Sequence, residues 1–146
     1  MIQGAVVAML AIETISDLRT KTISVIRVSA FLVLGIVLNI VQYYQSVWSI
    51  VGGAIIGLIL LGYGFASKGG IGYGDGIIFI VCGVYLGLSE NVRLLFFSLI
   101  AAAVAGGIYA LTKRKSIRAE IPFMPCVLGT YLIMLIIQFV EERVCV

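Results

Sequence analysis

Apolar residues occur along this chain in long, nearly unbroken runs, and polar residues occur mainly between the runs. Six apolar segments cover approximately residues 2–16, 28–47, 50–66, 76–89, 93–112 and 123–140. A helix that spans a membrane needs about 20 apolar residues, within a range of about 17–25. Because such segments recur along the whole chain, the pattern predicts an all-α, polytopic membrane helix bundle of about six transmembrane helices, organised as a single domain over residues 1–146.

The fourth segment, residues 76–89, is shorter than a complete span, so a re-entrant segment and a total of five spans is an alternative. Lys and Arg accumulate in the short cytoplasmic loops of membrane proteins. Eight of the ten Lys and Arg residues follow the first, third or fifth segment. They are Arg19, Lys21, Arg27, Lys68, Lys113, Arg114, Lys115 and Arg118. This distribution favours six spans, with both termini outside and the basic loops in the cytoplasm.

Composition supports a membrane location and excludes several kinds of site. The chain is 62% hydrophobic and 12% charged, whereas soluble domains are about 45–50% apolar and about 25% charged. The net charge is +3, and the Lys and Arg residues that produce it lie mainly between apolar segments. This placement indicates membrane topology and contact with lipid, not nucleic-acid binding. The absence of histidine excludes a Ser-His-Asp triad and a histidine-ligated metal or haem, and the three distant cysteines lack zinc-ligand spacing. We therefore expect neither a metal nor a cofactor.

Acidic residues close to hydrocarbon are costly and are candidates for function. Asp75 is one such residue. It lies in the stretch 69–76, in which five of the eight residues are glycine. Glycine costs about 1 kcal/mol in a helix relative to alanine, so we expect a turn or an unwound segment that another chain can approach closely. The alternative is a turn in which Asp75 caps the next helix. A phosphate-binding loop is disfavoured, because the glycine spacing differs and an acid would repel phosphate.

Asp17 ends the first apolar segment, and its alternative role is an interfacial ion pair with Arg19 or Lys21. Glu13 lies one helical turn earlier, so the two acids project from the same helix face. We expect Glu13 to hydrogen-bond a neighbouring helix, and a modulation of Asp17 by like charge is the alternative.

The predicted topology brings Asp17 and Asp75 to the same membrane surface. Two facing aspartates that share one proton can hydrolyse a peptide bond. The ionised carboxylate accepts a proton from water, which attacks the carbonyl carbon, while the protonated one donates to the carbonyl oxygen. This chemistry needs no histidine, nucleophilic side chain or metal.

Three stretches resemble one known family. Residues 72–75, Gly-Tyr-Gly-Asp, resemble the Gly-x-Gly-Asp motif of membrane aspartyl proteases, and residues 69–75 resemble its extended form in type IV prepilin peptidases and archaeal preflagellin peptidases. Residues 17–23 resemble the segment around that family's first catalytic aspartate. Residues 121–125, Ile-Pro-Phe-Met-Pro, resemble the stretch before its last helix.

This resemblance implies a single transmembrane peptidase domain with Asp17 and Asp75 as the catalytic pair. It assigns loop geometry or substrate binding to Gly70, Gly72, Gly74, Pro122 and Phe123. It further implies a prepilin-like or pseudopilin substrate, whose short basic leader is removed at the cytoplasmic face of a prokaryotic inner membrane. The chain lacks the cysteine-paired cytoplasmic region of larger, methylating members and is similar to the short peptidases of Tad/Flp-type systems. The resemblance therefore predicts cleavage without N-methylation, while the oligomeric state stays open.

Two flanking sequences depart from the family pattern. Asp75 is followed by Gly-Ile-Ile, where the family often has a hydrophobic residue and lysine, and Ile23 is followed by Ser-Val, where it often has Pro-Asn. Three alternatives therefore stay open: an intramembrane protease of signal-peptide remnants, a small transporter or assembly subunit with a cation path lined by acids, and an inactive homologue.

Overall fold

A computed structural model describes residues 2–20, 24–42, 45–66, 73–113 and 123–144. Over these residues the protein is helical and contains no strand, which confirms the all-α prediction. The helices are α1 (Ile2–Thr20), α2 (Val25–Gln42), α3 (Val47–Ala66), α4 (Tyr73–Lys113) and α5 (Met124–Val144). Helices α2 to α5 are long and apolar enough to cross a membrane, whereas α1, which carries Glu13, Asp17 and Arg19, is not among these four.

Helix α4 reverses its direction at Gly87, whose φ of 76° and ψ of −175° lie outside the helical region. The side-chain nitrogen of Asn91 lies 3.0 Å from the carbonyl oxygen of Phe79, whereas a straight helix would separate these residues by about 18 Å. The second arm of α4 (residues 88–113) therefore folds back along its first arm (residues 73–86). With α4 counted as two arms, the described chain contains six helical segments.

The ends of several predicted segments differ from those of the helices. The second segment was expected over 28–47, but α2 begins at Val25 and ends at Gln42; the third was expected from residue 50, but α3 begins at Val47. Helix α3 starts early because the Ser46 hydroxyl accepts a hydrogen bond from the Ser49 backbone nitrogen at 3.3 Å, as an N-cap does. Arg27, expected in a loop, lies in the first turn of α2, where an acid on α1 pairs with it.

Helix α3 packs antiparallel to the first arm of α4 through glycines. A Cβ added to Gly53 would lie 2.6 Å from the carbonyl oxygen of Gly83, and one added to Gly76 would lie 2.8 Å from the backbone nitrogen of Leu61. Gly57 likewise faces the backbone of Ile80. Small residues at four-residue spacing allow membrane helices to approach this closely, so α3 and the first arm form one tight pair.

The hydrophobic core lies among α1, α2, both arms of α4 and α5. Its fully buried members include Val6, Met9, Leu10, Val28, Ile78, Phe79, Cys82, Tyr85, Leu94, Met124 and Val127. By contrast, the buried residues of α3 are glycines, so this helix is held by close backbone contact and not by large side chains. The first arm of α4 is thereby packed between α3 and the core.

Candidate functional site

Asp17 lies in the last turns of α1 and is half-buried. The helix continues to Thr20, beyond the residue where the apolar run ends, so Asp17 belongs to the helix and not to the following connection. Glu13 and Thr14, one turn earlier, are buried. The carboxylate of Asp17 is thus presented at the boundary between the packed part of α1 and its exposed tip. Lys21, one of its two predicted ion-pair partners, lies outside the described residues.

Glu13 is fully buried and pairs with Arg27 of α2. The Nε atom of Arg27 donates to Oε1 of Glu13 at 3.1 Å, and its Nη2 atom donates to Oε2 at 3.4 Å. The same Nη2 atom donates to the hydroxyl of Ser16 at 2.6 Å. An ionised carboxylate can be buried when it is paired and hydrogen-bonded in this way. The sequence pattern predicts that Glu13 bonds to a neighbouring helix but does not identify Arg27 as its partner, although both residues are charged and lie close to apolar runs.

Asp75 is half-buried in the first turn of α4. It is the third residue of the helix, so it lies inside the turn and does not precede it as an N-cap would. A negative charge is favourable at this end of a helix. The turn is attached to α3 on both sides of Asp75. Gly76 faces the backbone of Leu61, and the ring of Tyr73 packs edge-on against Phe65 with centroids 4.9 Å apart.

Interhelical contacts place Asp17 and Asp75 at the same end of the bundle. Ile2 of α1 and Leu86 of the first arm of α4 line one cavity, which marks the opposite end. Helix α1 runs away from this cavity from Ile2 to Asp17, and the first arm of α4 runs toward it from Asp75 to Leu86. A rise of about 1.5 Å per residue puts Asp17 about 22 Å from Ile2 and Asp75 about 16 Å from Leu86. Helices α1 and α4 are in contact. The two acids therefore lie toward the same end of the bundle.

Helix α2 provides a second, independent path to the same placement. Near its start, Arg27 pairs with Glu13 close to the end of α1. Near its end, the Asn39 side chain donates to the carbonyl oxygen of Val84, close to the end of the first arm of α4, at 2.9 Å. The start of α2 thus lies beside the end of α1 and at the same end of the bundle as the start of α4.

Phe123 and Gly74 are the other predicted site residues that the structure describes. Phe123 precedes α5 and packs against Phe79 with ring centroids 6.3 Å apart. Since Phe79 lies one turn after Asp75, this contact connects the start of α5 to the helix that carries the acid. Gly74 is half-buried beside Asp75. The predicted residues Gly70, Gly72 and Pro122 lie outside the described ranges.

The site consists of carboxylates, which can donate, accept and share protons. No three Cys, Asp or Glu side chains in the described part of the chain converge as the ligands of a metal ion would. Two acids from different helices at one end of a membrane bundle are suited to acid–base chemistry on a substrate that approaches from that surface.

Comparison with known proteins gives one match. A model of the type IV leader peptidase family matches residues 4–111. The matched range includes Asp17 and Asp75 and ends before Phe123 and α5. Searches of curated proteins and of solved structures find no significant match.

Proposed function

The chain belongs to the type IV leader peptidase family, and from this premise we propose that it removes the short basic leader of prepilin-like or pseudopilin precursors. We propose Asp17 and Asp75 as the catalytic pair of an aspartic endopeptidase. The observation that carries the proposal is their position toward the same end of the bundle, on α1 and on the first arm of α4, which α2 connects through its contacts at Arg27 and Asn39. Families of this kind are membrane-bound, in agreement with the four apolar helices.

The proposed reaction uses one ionised and one protonated aspartate. The ionised carboxylate takes a proton from water as the water oxygen attacks the carbonyl carbon of the scissile peptide bond. The other aspartate donates its proton to the carbonyl oxygen, which gives a neutral tetrahedral diol. The leaving nitrogen then accepts a proton from the first aspartate, the carbon–nitrogen bond breaks, and the second aspartate regains its proton from the diol hydroxyl. No step of this proposed reaction requires a cofactor.

The substrate is proposed to be cut at the cytoplasmic membrane surface. Lys and Arg residues follow α1, α3 and the second arm of α4 in the sequence, and such residues favour the cytoplasmic side. Of the described basic residues, Arg19 and Arg27 lie at the end of the bundle that carries both acids. A precursor can then leave its apolar helix in lipid while its basic leader reaches the two carboxylates. We propose cleavage without N-methylation, because the three cysteines form no closely spaced pair.

Coexpression with candidate prepilins tests the proposal. The wild-type protein should shorten the precursor, and mass spectrometry should place the new N-terminus directly before the apolar helix. Asp17→Asn and Asp75→Asn should each abolish shortening without changing the amount of protein in the membrane. Glu141→Gln is the matched control, because this exposed acid lies at the far end of α5; it should cleave as the wild type does. Cleavage by either Asp variant would remove that residue from the pair, and a cut inside the apolar helix would favour an intramembrane protease.

A further inference from the structure

Arg27 connects the start of α2 to two successive turns of α1. Its Nε and Nη2 atoms donate to the two oxygens of Glu13 at 3.1 and 3.4 Å, and Nη2 also donates to the Ser16 hydroxyl at 2.6 Å. Glu13 and Ser16 are three residues apart, so they lie on one face of α1. Asp17 follows Ser16 directly and lies one turn after Glu13. The guanidinium group therefore holds the turn of α1 that carries Asp17.

The burial of this ion pair distinguishes it from an ordinary surface contact. The Glu13 side chain is 0% exposed, and the Arg27 side chain is 42% exposed. The pair between Arg93 and Glu90 in the second arm of α4 is 64% and 26% exposed and joins residues of one helix. Exposed pairs contribute little to stability, whereas a buried carboxylate that loses its partner is strongly destabilising. The buried acid thus lies where its ion pair can fix the rotation of α1 against α2.

We propose that Arg27 is a positioning residue that acts through Glu13 and Ser16 to hold Asp17 in the geometry required for hydrolysis. This inference rests on the proposed function. The planar guanidinium fork fixes both the distance and the orientation of its acceptors, which a lysine ammonium cannot do. Loss of the fork lets the end of α1 rotate or fray, and Asp17 moves with it while the substrate-facing surface is unchanged.

Kinetics of leader removal in purified protein test this role. Arg27→Lys and Arg27→Gln should lower kcat by roughly 10- to 100-fold, since a displacement of about 1 Å can cost about 100-fold, while KM stays within about 2-fold of wild type. Arg93→Gln is the matched control, because it removes an exposed pair at the opposite end of the bundle; its kcat should not change. An unchanged kcat in both Arg27 variants would overturn the proposal.

The double variant Glu13→Gln/Arg27→Gln separates positioning from stability. Arg27→Gln alone leaves a buried carboxylate without its partner and should reduce the amount of folded protein. Removal of the charge in the double variant should restore that amount but not kcat, because the fork is still missing. Recovery of kcat together with the folded amount would show a merely structural role and would overturn the proposal.

Hydrogen exchange supplies a readout that does not depend on activity. Backbone amides of residues 14–20 should exchange at least about 10-fold faster in Arg27→Gln than in wild type, because exchange follows local opening. The same amides should be unaffected in Arg93→Gln. If wild-type protein cleaves no prepilin, the proposed function fails, and exchange alone decides whether Arg27 holds this turn. Equal exchange in wild type and Arg27→Gln would overturn the positioning role.

Discussion

Asp17 and Asp75 are held at the bundle end by two different kinds of contact. The position of Asp17 depends on an ion pair, because Arg27 of α2 bonds to Glu13 and Ser16 in the turn of α1 that carries it. Asp75 depends on backbone packing, because Gly76 beside it lies directly against α3. An ion pair is sensitive to the identity of a single charged group, whereas glycine packing is sensitive to added volume. The two acids should therefore be displaced by different substitutions.

Gly76→Ala is expected to displace the turn that carries Asp75. The new Cβ would lie 2.8 Å from the backbone nitrogen of Leu61 and 2.9 Å from its Cα, and backbone atoms cannot move aside as a flexible side chain can. We expect a loss of about 1–3 kcal/mol in unfolding free energy from overpacking. Leader removal per folded molecule should fall by about 10- to 100-fold. Purified protein in detergent, assayed for thermal unfolding and cleavage, checks both.

Gly62→Ala is the control for this substitution, because it lies in α3 beside Leu61 and its Cβ would meet open space. It should leave cleavage unchanged and stabilise the helix by up to about 1 kcal/mol. Equal activity of Gly76→Ala and Gly62→Ala would show that close contact with α3 does not position Asp75.

The placement of Asp17 and Asp75 at one end of the bundle could be predicted from the sequence, but the groups that hold them could not. Asp17 and Asp75 stand out because charge is rare beside apolar runs, and alternating spans predict that both lie on one side of the membrane. The hydropathy pattern predicts Arg27 in a loop, because it does not show where α2 begins. Its pairing with Glu13 depends on the rotation of α1 against α2, which is set by packing across the whole bundle.

At the scale of elements, the reversal of α4 joins its two arms without an intervening loop. Polar side chains from the connection between α2 and α3 and from the start of α3 hydrogen-bond to the backbone beside Gly87. The Gln45 side chain donates to the carbonyl oxygen of Leu86 at 3.0 Å, and the Ser49 hydroxyl accepts from the backbone nitrogen of Leu88 at 3.2 Å. These bonds satisfy backbone groups that the break in the helix releases, and such groups must be satisfied within the protein wherever they lie in hydrocarbon.

Gly87→Ala should destabilise the hairpin formed by the two arms. A φ of 76° with an extended ψ is essentially restricted to glycine, and other residues there cost about 1–3 kcal/mol. The added Cβ would also lie 2.7 Å from Oε1 of Gln45. We expect a loss of this size in unfolding free energy, measured by chemical denaturation in detergent. Gly107→Ala, which meets open space in the second arm, is the control; equal loss in both variants would contradict this account.

The predicted fourth and fifth segments are separated by residues 90–92, Glu-Asn-Val. The reversal instead occurs at Gly87, and these residues belong to the helix. Asn91 is fully buried and donates to the carbonyl oxygens of Gly53 and Phe79 at 2.9 and 3.0 Å. Hydropathy does not distinguish a polar residue in a loop from one that hydrogen-bonds between membrane helices.

At the scale of the whole molecule, large apolar side chains cover the outside of the bundle. Trp48 and Ile26 are more than four-fifths exposed, and exposed leucine, isoleucine, valine and phenylalanine residues occur on every helix. An apolar exterior of this extent is typical of a lipid-facing surface. The helical, multi-span character of the chain could be predicted, because four of the described helices are long and apolar enough to cross a bilayer. The count of about six spans is looser, because α1 is not among those four and the fourth and fifth segments form one helix that reverses at Gly87.

Labelling of single cysteines tests the proposed orientation. In a background without Cys82, Cys126 and Cys145, we introduce Leu18→Cys, Tyr73→Cys or Trp48→Cys, each at an exposed position. A membrane-impermeant maleimide should label position 48 in intact cells and positions 18 and 73 only after permeabilisation. The first two flank the proposed catalytic acids, and the third lies at the other end. Labelling of positions 18 and 73 from opposite sides would contradict the catalytic pair.

The short first arm of α4 has a consequence for the supply of water. Residues 73–86 extend about 21 Å along their axis, whereas the hydrocarbon layer is about 30 Å thick. If Gly87 lies at the outer boundary of the hydrocarbon layer, the carboxylate of Asp75 lies inside the layer, roughly 10 Å from its cytoplasmic boundary. Hydrolysis then requires the bilayer beside this arm to thin, or the bundle to admit a hydrated funnel from the cytoplasm. Lipids with shorter acyl chains should bring bulk water closer to Asp75 and speed turnover.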